Sequence, residues 1–227
     1  MNSLLFIPTK MVPWIACAAA MVSGCADPEG AYNDFKDRYQ ATQGQIEGGT
    51  SDGPQGDGAP CVLPGPDDVK DPYLFALSAN VLTTKPIVCL GTVTITQGAN
   101  GPEATFSLQP LLSKDRRTPT GDPLKAGPTP INADGSFVAD FGGIKVNGDA
   151  NPISGSALET TSTVVTGGPG AFCKPADFIC GAVSGQVTVP ATINLSDGKG
   201  SKFTFQRVTD PNNYPKPMID CAGTTVP

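Results

Sequence analysis

The chain has 227 residues, with 15 Lys and Arg against 21 Asp and Glu, seven Cys, 27 Gly, 23 Pro and no His. A net charge of −6 argues against nucleic acid as a partner, because neutralising phosphates needs clustered Lys and Arg. The absence of His removes Ser-His-Asp and Cys-His nucleophile pairs, His-ligated zinc and every imidazole acid–base scheme.

The first ten residues carry one charge, Lys10, and an apolar run follows from Met11 to Val22. That run is too short to span a hydrocarbon core, which takes about 20 residues, but it fits the apolar region of a secretory signal peptide. It ends on Val22-Ser23-Gly24-Cys25, which resembles the lipobox of bacterial lipoproteins. The resemblance implies diacylglyceryl transfer to the Cys25 sulfur, cleavage before Cys25 and acylation of the new amino terminus. Residues 1–24 are then a lipoprotein signal peptide, and the membrane is a partner through lipid on Cys25. Ala26 stands where an Asp would resemble an inner-membrane retention signal, so the outer membrane is expected over the inner.

Residues 25–71 read as an acidic, Gly/Pro-rich flexible tether with ten acids against three bases. Within it, 48–60 (GGTSDGPQGDGAP) has no large apolar side chain and cannot offset the entropy of ordering its backbone. Tyr32, Phe35 and Tyr39 would share one face of a short helix, either a weak helix within the tether or a docking peptide.

From residue 72 to 227 short apolar and β-branched runs alternate with Gly, Pro, Asn and Asp clusters. The predicted strands are Tyr73–Leu82, Ile87–Thr96, Ala104–Leu112, Ser136–Phe141, Ile144–Asn147, Ala157–Thr166, Gly181–Val189 and Lys202–Val208. Val93 and Ile95 alternate with Thr92, Thr94 and Thr96, the period of a half-buried strand, and Phe203, Phe205 and Arg207 share one face of the last strand. Ala133-Asp134-Gly135-Ser136, Asn147-Gly148 and Asp197-Gly198-Lys199-Gly200 supply turn residues that accept positive φ. Residues 113–130 read as a long polar loop carrying Lys114, Arg116, Arg117 and Lys125. The fold expected is an all-β antiparallel sandwich of about eight strands, with a small barrel as the alternative.

Once Cys17 leaves with the signal and Cys25 takes lipid, five cysteines remain, which allows two bridges and one thiol. Cys173 and Cys180, flanking a Gly/Pro-rich connection, are the expected local pair; Cys221 is expected to join Cys89 or Cys61. No C-x₂-C spacing exists, so neither a metal site nor a cofactor is expected.

Candidate chemistry is thin. Asn132-Ala133-Asp134-Gly135 lacks the later ligands of a calcium loop and reads as a β-turn. Asp67, Asp68 and Asp71 read as solvated acids of a linker. Gly155-Ser156 has no His to serve it as a nucleophile elbow. Trp14, the only Trp, lies in the signal segment, which leaves Tyr73, Tyr214 and Phe residues for any stacking on sugars.

Asn151-Pro152-Ile153-Ser154-Gly155, Cys180-Gly181-x-Val183-x-Gly185 and Phe203-Thr204-Phe205-x-Arg207-Val208 resemble uncharacterised β-rich lipoproteins of predatory and gliding bacteria. That resemblance covers roughly residues 130–210 and implies no activity. The function expected is a membrane-anchored, non-catalytic β domain that binds a ligand or partner at the cell envelope, an envelope protein or glycan. The alternatives are a structural envelope or surface-coat component, and a hydrolase using carboxylates alone.

Overall fold

The computed structural model describes residues 60–226. The expected signal peptide, Cys25 and residues 26–59, with the Tyr32, Phe35 and Tyr39 stripe, lie outside them. The described residues form ten strands. These are β1 Tyr73–Ser78, β2 Ile87–Gly98, β3 Gly101–Pro110, β4 Leu124–Pro130, β5 Phe137–Asp140, β6 Lys145–Val146, β7 Leu158–Gly167, β8 Phe178–Val189, β9 Ile193–Asn194 and β10 Ser201–Arg207.

All pair antiparallel in one sheet, in the order β4-β3-β2-β1-β10-β8-β7-β5, with β6 on β7 and β9 on β8. The sheet curls until its two ends meet at an Ile131–Phe137 bridge beside β4 and β5. The expected all-β antiparallel class is therefore present. Of the two architectures, the strands build the barrel, nearly closed, rather than two stacked sheets.

The alternation read from sequence is the burial pattern: Val93 and Ile95 are buried while Thr92, Thr94 and Thr96 are exposed. Inward residues bring six aromatic rings together. Phe106 lies 5.5 Å from Phe137 and 5.8 Å from Phe205, Phe137 lies 4.9 Å from Phe172, and Phe75 lies 4.9 Å from Phe205. Phe203 lies 6.1 Å from Phe137. Each such ring contributes on the order of 2–3 kcal/mol by burial.

A smaller cluster, Leu74, Val88, Leu111 and Val208, sits on the outer face of β1 and β2. The C-terminal tail runs along that side: the Thr204 hydroxyl donates to the Met218 carbonyl at 2.7 Å, and Val226 is buried.

Four expectations are corrected. Residues 113–130 are not one loop, because Leu124–Pro130 is an edge strand. Pro128, Pro130 and Gly127 hide it from propensity, yet edge strands are where proline is tolerated. A Cβ on Gly127 (φ +101°) would come within 2.5 Å of the Ala104 carbonyl, at the shift in register between β3 and β4. Asn147-Gly148 is not a positive-φ turn. It opens a single 3₁₀ turn, Gly148–Ala150, where a Cβ on Gly148 would meet the Gly155 carbonyl at 2.3 Å.

The strip 60–71, read as the end of the tether, belongs to the body, with Val69 buried. Finally, the bridges are Cys61–Cys173 and Cys180–Cys221, not Cys173–Cys180 or Cys221 with Cys89 or Cys61. The 168–177 connection reverses the chain, so that Gly167 pairs with Gly181, yet it holds the two cysteines apart: β8 carries Cys180 to the outer face under the tail, while Cys173 stays where the entry strip crosses. Cys89 is the thiol left over, and it is buried.

Candidate functional site

The two ends of the barrel differ. At the base, the connection after β7 folds inward and plugs the lumen with Phe172 and Ala176. Its backbone is held by the β4–β5 hairpin, where Gly170 donates to the Asp134 carbonyl at 2.6 Å and Phe172 to the Gly135 carbonyl at 3.0 Å. Lys174 N–H donates to the Val62 carbonyl of the entry strip at 2.8 Å.

Arg207 organises this end. Its guanidinium donates to Asp177 at 2.7 Å, Asp71 at 3.2 Å and the Pro175 carbonyl at 3.0 Å, and also to the Asp68 carbonyl. It lies 5.5 Å over the Tyr73 ring, whose hydroxyl donates to the Ala176 carbonyl at 2.9 Å. Lys174 pairs with Asp68 at 3.0 Å. The Asp68 carboxylate, which accepts from Gly65 N–H and from Lys174, is held below the usual range.

Of the acids expected to be solvated, Asp68 and Asp71 are thus partners of bases, while Asp67 is exposed, and the arrangement is a clasp. A groove of about 500 Å³ opens beside it, between the 168–177 connection and β8, but its Lys174 and Asp177 are already committed to Asp68 and Arg207.

The opposite end is open. There the starts of β2, β4 and β7 and the ends of β1 and β8 surround a cavity of about 100 Å³. Leu77 and Ala79 come from β1 and its exit, Ile87 and Cys89 from β2, and Leu124 from β4. Leu158 comes from β7, Val187 from β8, and Ile193 and Leu195 from the β9 loop. Ile144, Val146 and Ile153 complete the wall. No charged side chain of the described residues lines it.

The few polar side chains of this wall bond to one another or to backbone. The Thr160 hydroxyl accepts from Ile144 N–H at 3.0 Å and shares a 2.9 Å bond with Thr163. The Asn151 amide donates to Ser154 Oγ and the Ser156 carbonyl, each at 2.9 Å. Burial pushes the Cys89 thiol up to about 12, so it stays neutral and acts as one more soft apolar group.

The rim continues this character: Val81, 52% exposed, and the exposed Pro190 line the opening. Asn80 ties the two rim loops together, donating to the Asn194 and Asp197 carbonyls at 2.9 and 3.0 Å. Mouths of β-barrels are a recurrent place for small-molecule sites, and an apolar wall selects an apolar ligand.

The other sequence candidates lie elsewhere. Asp134 closes a turn, accepting from Ser136 N–H at 2.9 Å and Ser136 Oγ at 2.7 Å. Gly155-Ser156 is a bend near the mouth. Tyr73 is fully buried and Tyr214 lies under Arg117 at 5.4 Å.

Among the described residues no cluster of three Cys, Asp or Glu could hold a metal. The mouth itself escapes sequence reasoning. Arg207 carried a usable signal, a charge on the inward face set by Phe203 and Phe205. No family model, curated protein or solved structure matches the chain.

Proposed function

We propose that the chain is an envelope lipoprotein whose barrel is a non-catalytic binding module, with an apolar ligand seated in the open mouth. Lipid on Cys25 would hold it in the membrane, the outer one by the Ala26 rule, and the acidic residues 26–59 would set the barrel off from an anionic surface. The observation that carries the reading is the mouth: an enclosed, uncharged, apolar space whose polar groups are already bonded, opening past the exposed Val81 and Pro190.

The test uses residues 25–227 with Cys25→Ser, which needs no detergent. An environment-sensitive apolar dye should bind at one site per chain, without interference from Trp fluorescence because Trp14 is absent from this form. Leu77→Arg should abolish binding while leaving the far-ultraviolet dichroism of the β fold. Unchanged dye binding in that variant would refute the mouth as the site.

A further inference from the structure

We infer that the ligand of the mouth is the aliphatic tail of an amphiphile, entering end-on with its polar head left outside. This rests on the reading of the mouth as a binding site and names what it takes.

Three observations select the tail. First, the enclosed volume is about 100 Å³, smaller than a cavity of roughly 150 Å³ that takes a benzene ring, so the space suits a chain one methylene wide better than a bulky ring system. A methylene occupies about the volume of a water, roughly 30 Å³, so the space holds about three or four carbons.

Second, the entering end meets no partner for a polar group. Thr160, Thr163 and Asn151 are engaged with the wall, and a carboxylate or hydroxyl carried inside would lose its hydration uncompensated. Third, the apolar track does not stop at the enclosed space. Val81 and Pro190 extend it outward, so later carbons of a chain lie along an exposed rim before the head reaches water. A compact apolar molecule would use the floor and leave this rim idle.

The test titrates the residue 25–227 form carrying Cys25→Ser with single-chain alkyl carboxylates from four to twelve carbons, each below its micelle concentration, against a bound apolar dye. Affinity should rise about fourfold per methylene over the first three or four carbons that enter, then markedly less for each carbon on the rim.

Methyl NMR shifts of Leu77 and Ile87 give a second readout, because a seated chain touches the floor that these residues line. Ala79→Leu fills that floor and should weaken octanoate at least tenfold. Val81→Ser, at an exposed position that leaves folding intact, should weaken the longer chains two- to fourfold without altering the steep gain of the first carbons.

Vesicles of phosphatidylethanolamine and phosphatidylglycerol, added without free acid, separate the sources. Shifts or broadening of the Leu77 and Ile87 methyls by vesicles assign the tail to a bilayer lipid, and shifts only with monomers assign it to a free amphiphile. Adamantane carboxylate binding as tightly as octanoate would leave the mouth a binding site but overturn the tail. A gain per methylene that stays constant to twelve carbons would overturn it as surface adsorption. Failure of every ligand and of the dye would overturn both readings.

Discussion

Arg207 stands at the point where the inward face of β10 stops being aromatic, and its guanidinium side chain is 13% exposed. A charge there is tolerated only because its donors are matched to Asp177, Asp71, two carbonyls and a ring face. Asp71 and Asp177 are largely exposed, so their loss of a partner is mild; the larger effect is on the strip and plug that Arg207 staples together. Arg207→Ala is expected to lower stability by about 2–4 kcal/mol in urea denaturation. Arg207→Lys should recover less than half, because an ammonium cannot fork between two acids and two carbonyls. Gly135 makes a second, purely steric point. Its φ is +80°, and a Cβ there would come within 2.9 Å of Cys173 Sγ and 3.1 Å of Cys61 Sγ. Gly135→Ala should therefore cost more than about 1 kcal/mol, read in the same way. A variant as stable as the parent would mean that the hairpin and bridge can shift together.

The C-terminal tail is the element least anchored by the sheet. Among the described residues it joins no strand of the barrel and is held by the Thr204–Met218 bond, the outer cluster and the Cys180–Cys221 bridge. A small hairpin inside it presents Cys221: Ile219 N–H donates to the Thr224 carbonyl at 2.8 Å, and Asp220 accepts from Ala222 and Thr224. Cys221→Ser should remove about 2–4 kcal/mol, mostly through the unfolded chain, and should expose Leu74, Val88 and Val208. Hydrogen exchange decides it: amides of Ile219 and Val226 should lose protection while those of β2 keep it. The same scale shows what was legible. Every strand with two or more β-branched or aromatic residues in alternation was readable, from Phe75 to Phe205. The strand rich in Pro and Gly at 124–130 was not, since its place is decided by the pairing of β3 and not by its own propensity. The disulfides were unreadable for a related reason. Cys180 and Cys221 meet only because the tail crosses the outer face, which no spacing encodes.

For the molecule as a whole, the asymmetry between a clasped base and an apolar mouth arises from threading. The mouth draws its wall from residues 75 to 195, none of which carries chemistry alone, so only the assembled barrel reveals it. The same enclosure fixes how stability responds to pH. Burial pushes Cys89 near the mouth and Tyr73 at the base up to about 12, with Arg207 opposing the rise at Tyr73. Unfolded, the two groups ionise near 9 and 10. Above those values the unfolded chain holds fewer protons than the folded one, so stability falls as pH rises. The contribution of both groups is thus complete below about pH 9 and is lost towards about 12, at up to about 1.4 kcal/mol per pH unit for each group. On the acid side the signs reverse. Asp115, held at about 2 by the Thr118 hydroxyl and the Thr118 and Arg117 amides, and Asp134, lowered by Ser136, favour the folded state above the usual carboxylate range and cease to do so as pH falls through it. Tyr73→Phe isolates one term. At pH 7 it should be about 1 kcal/mol less stable, having lost the bond to the Ala176 carbonyl. Between pH 10 and 12 its stability should decline less steeply than that of the parent, by up to about 1.4 kcal/mol per pH unit. Urea midpoints across that range, with tyrosinate absorbance followed in parallel, make the comparison; parallel pH slopes in the two proteins would show that Tyr73 ionises freely in the fold.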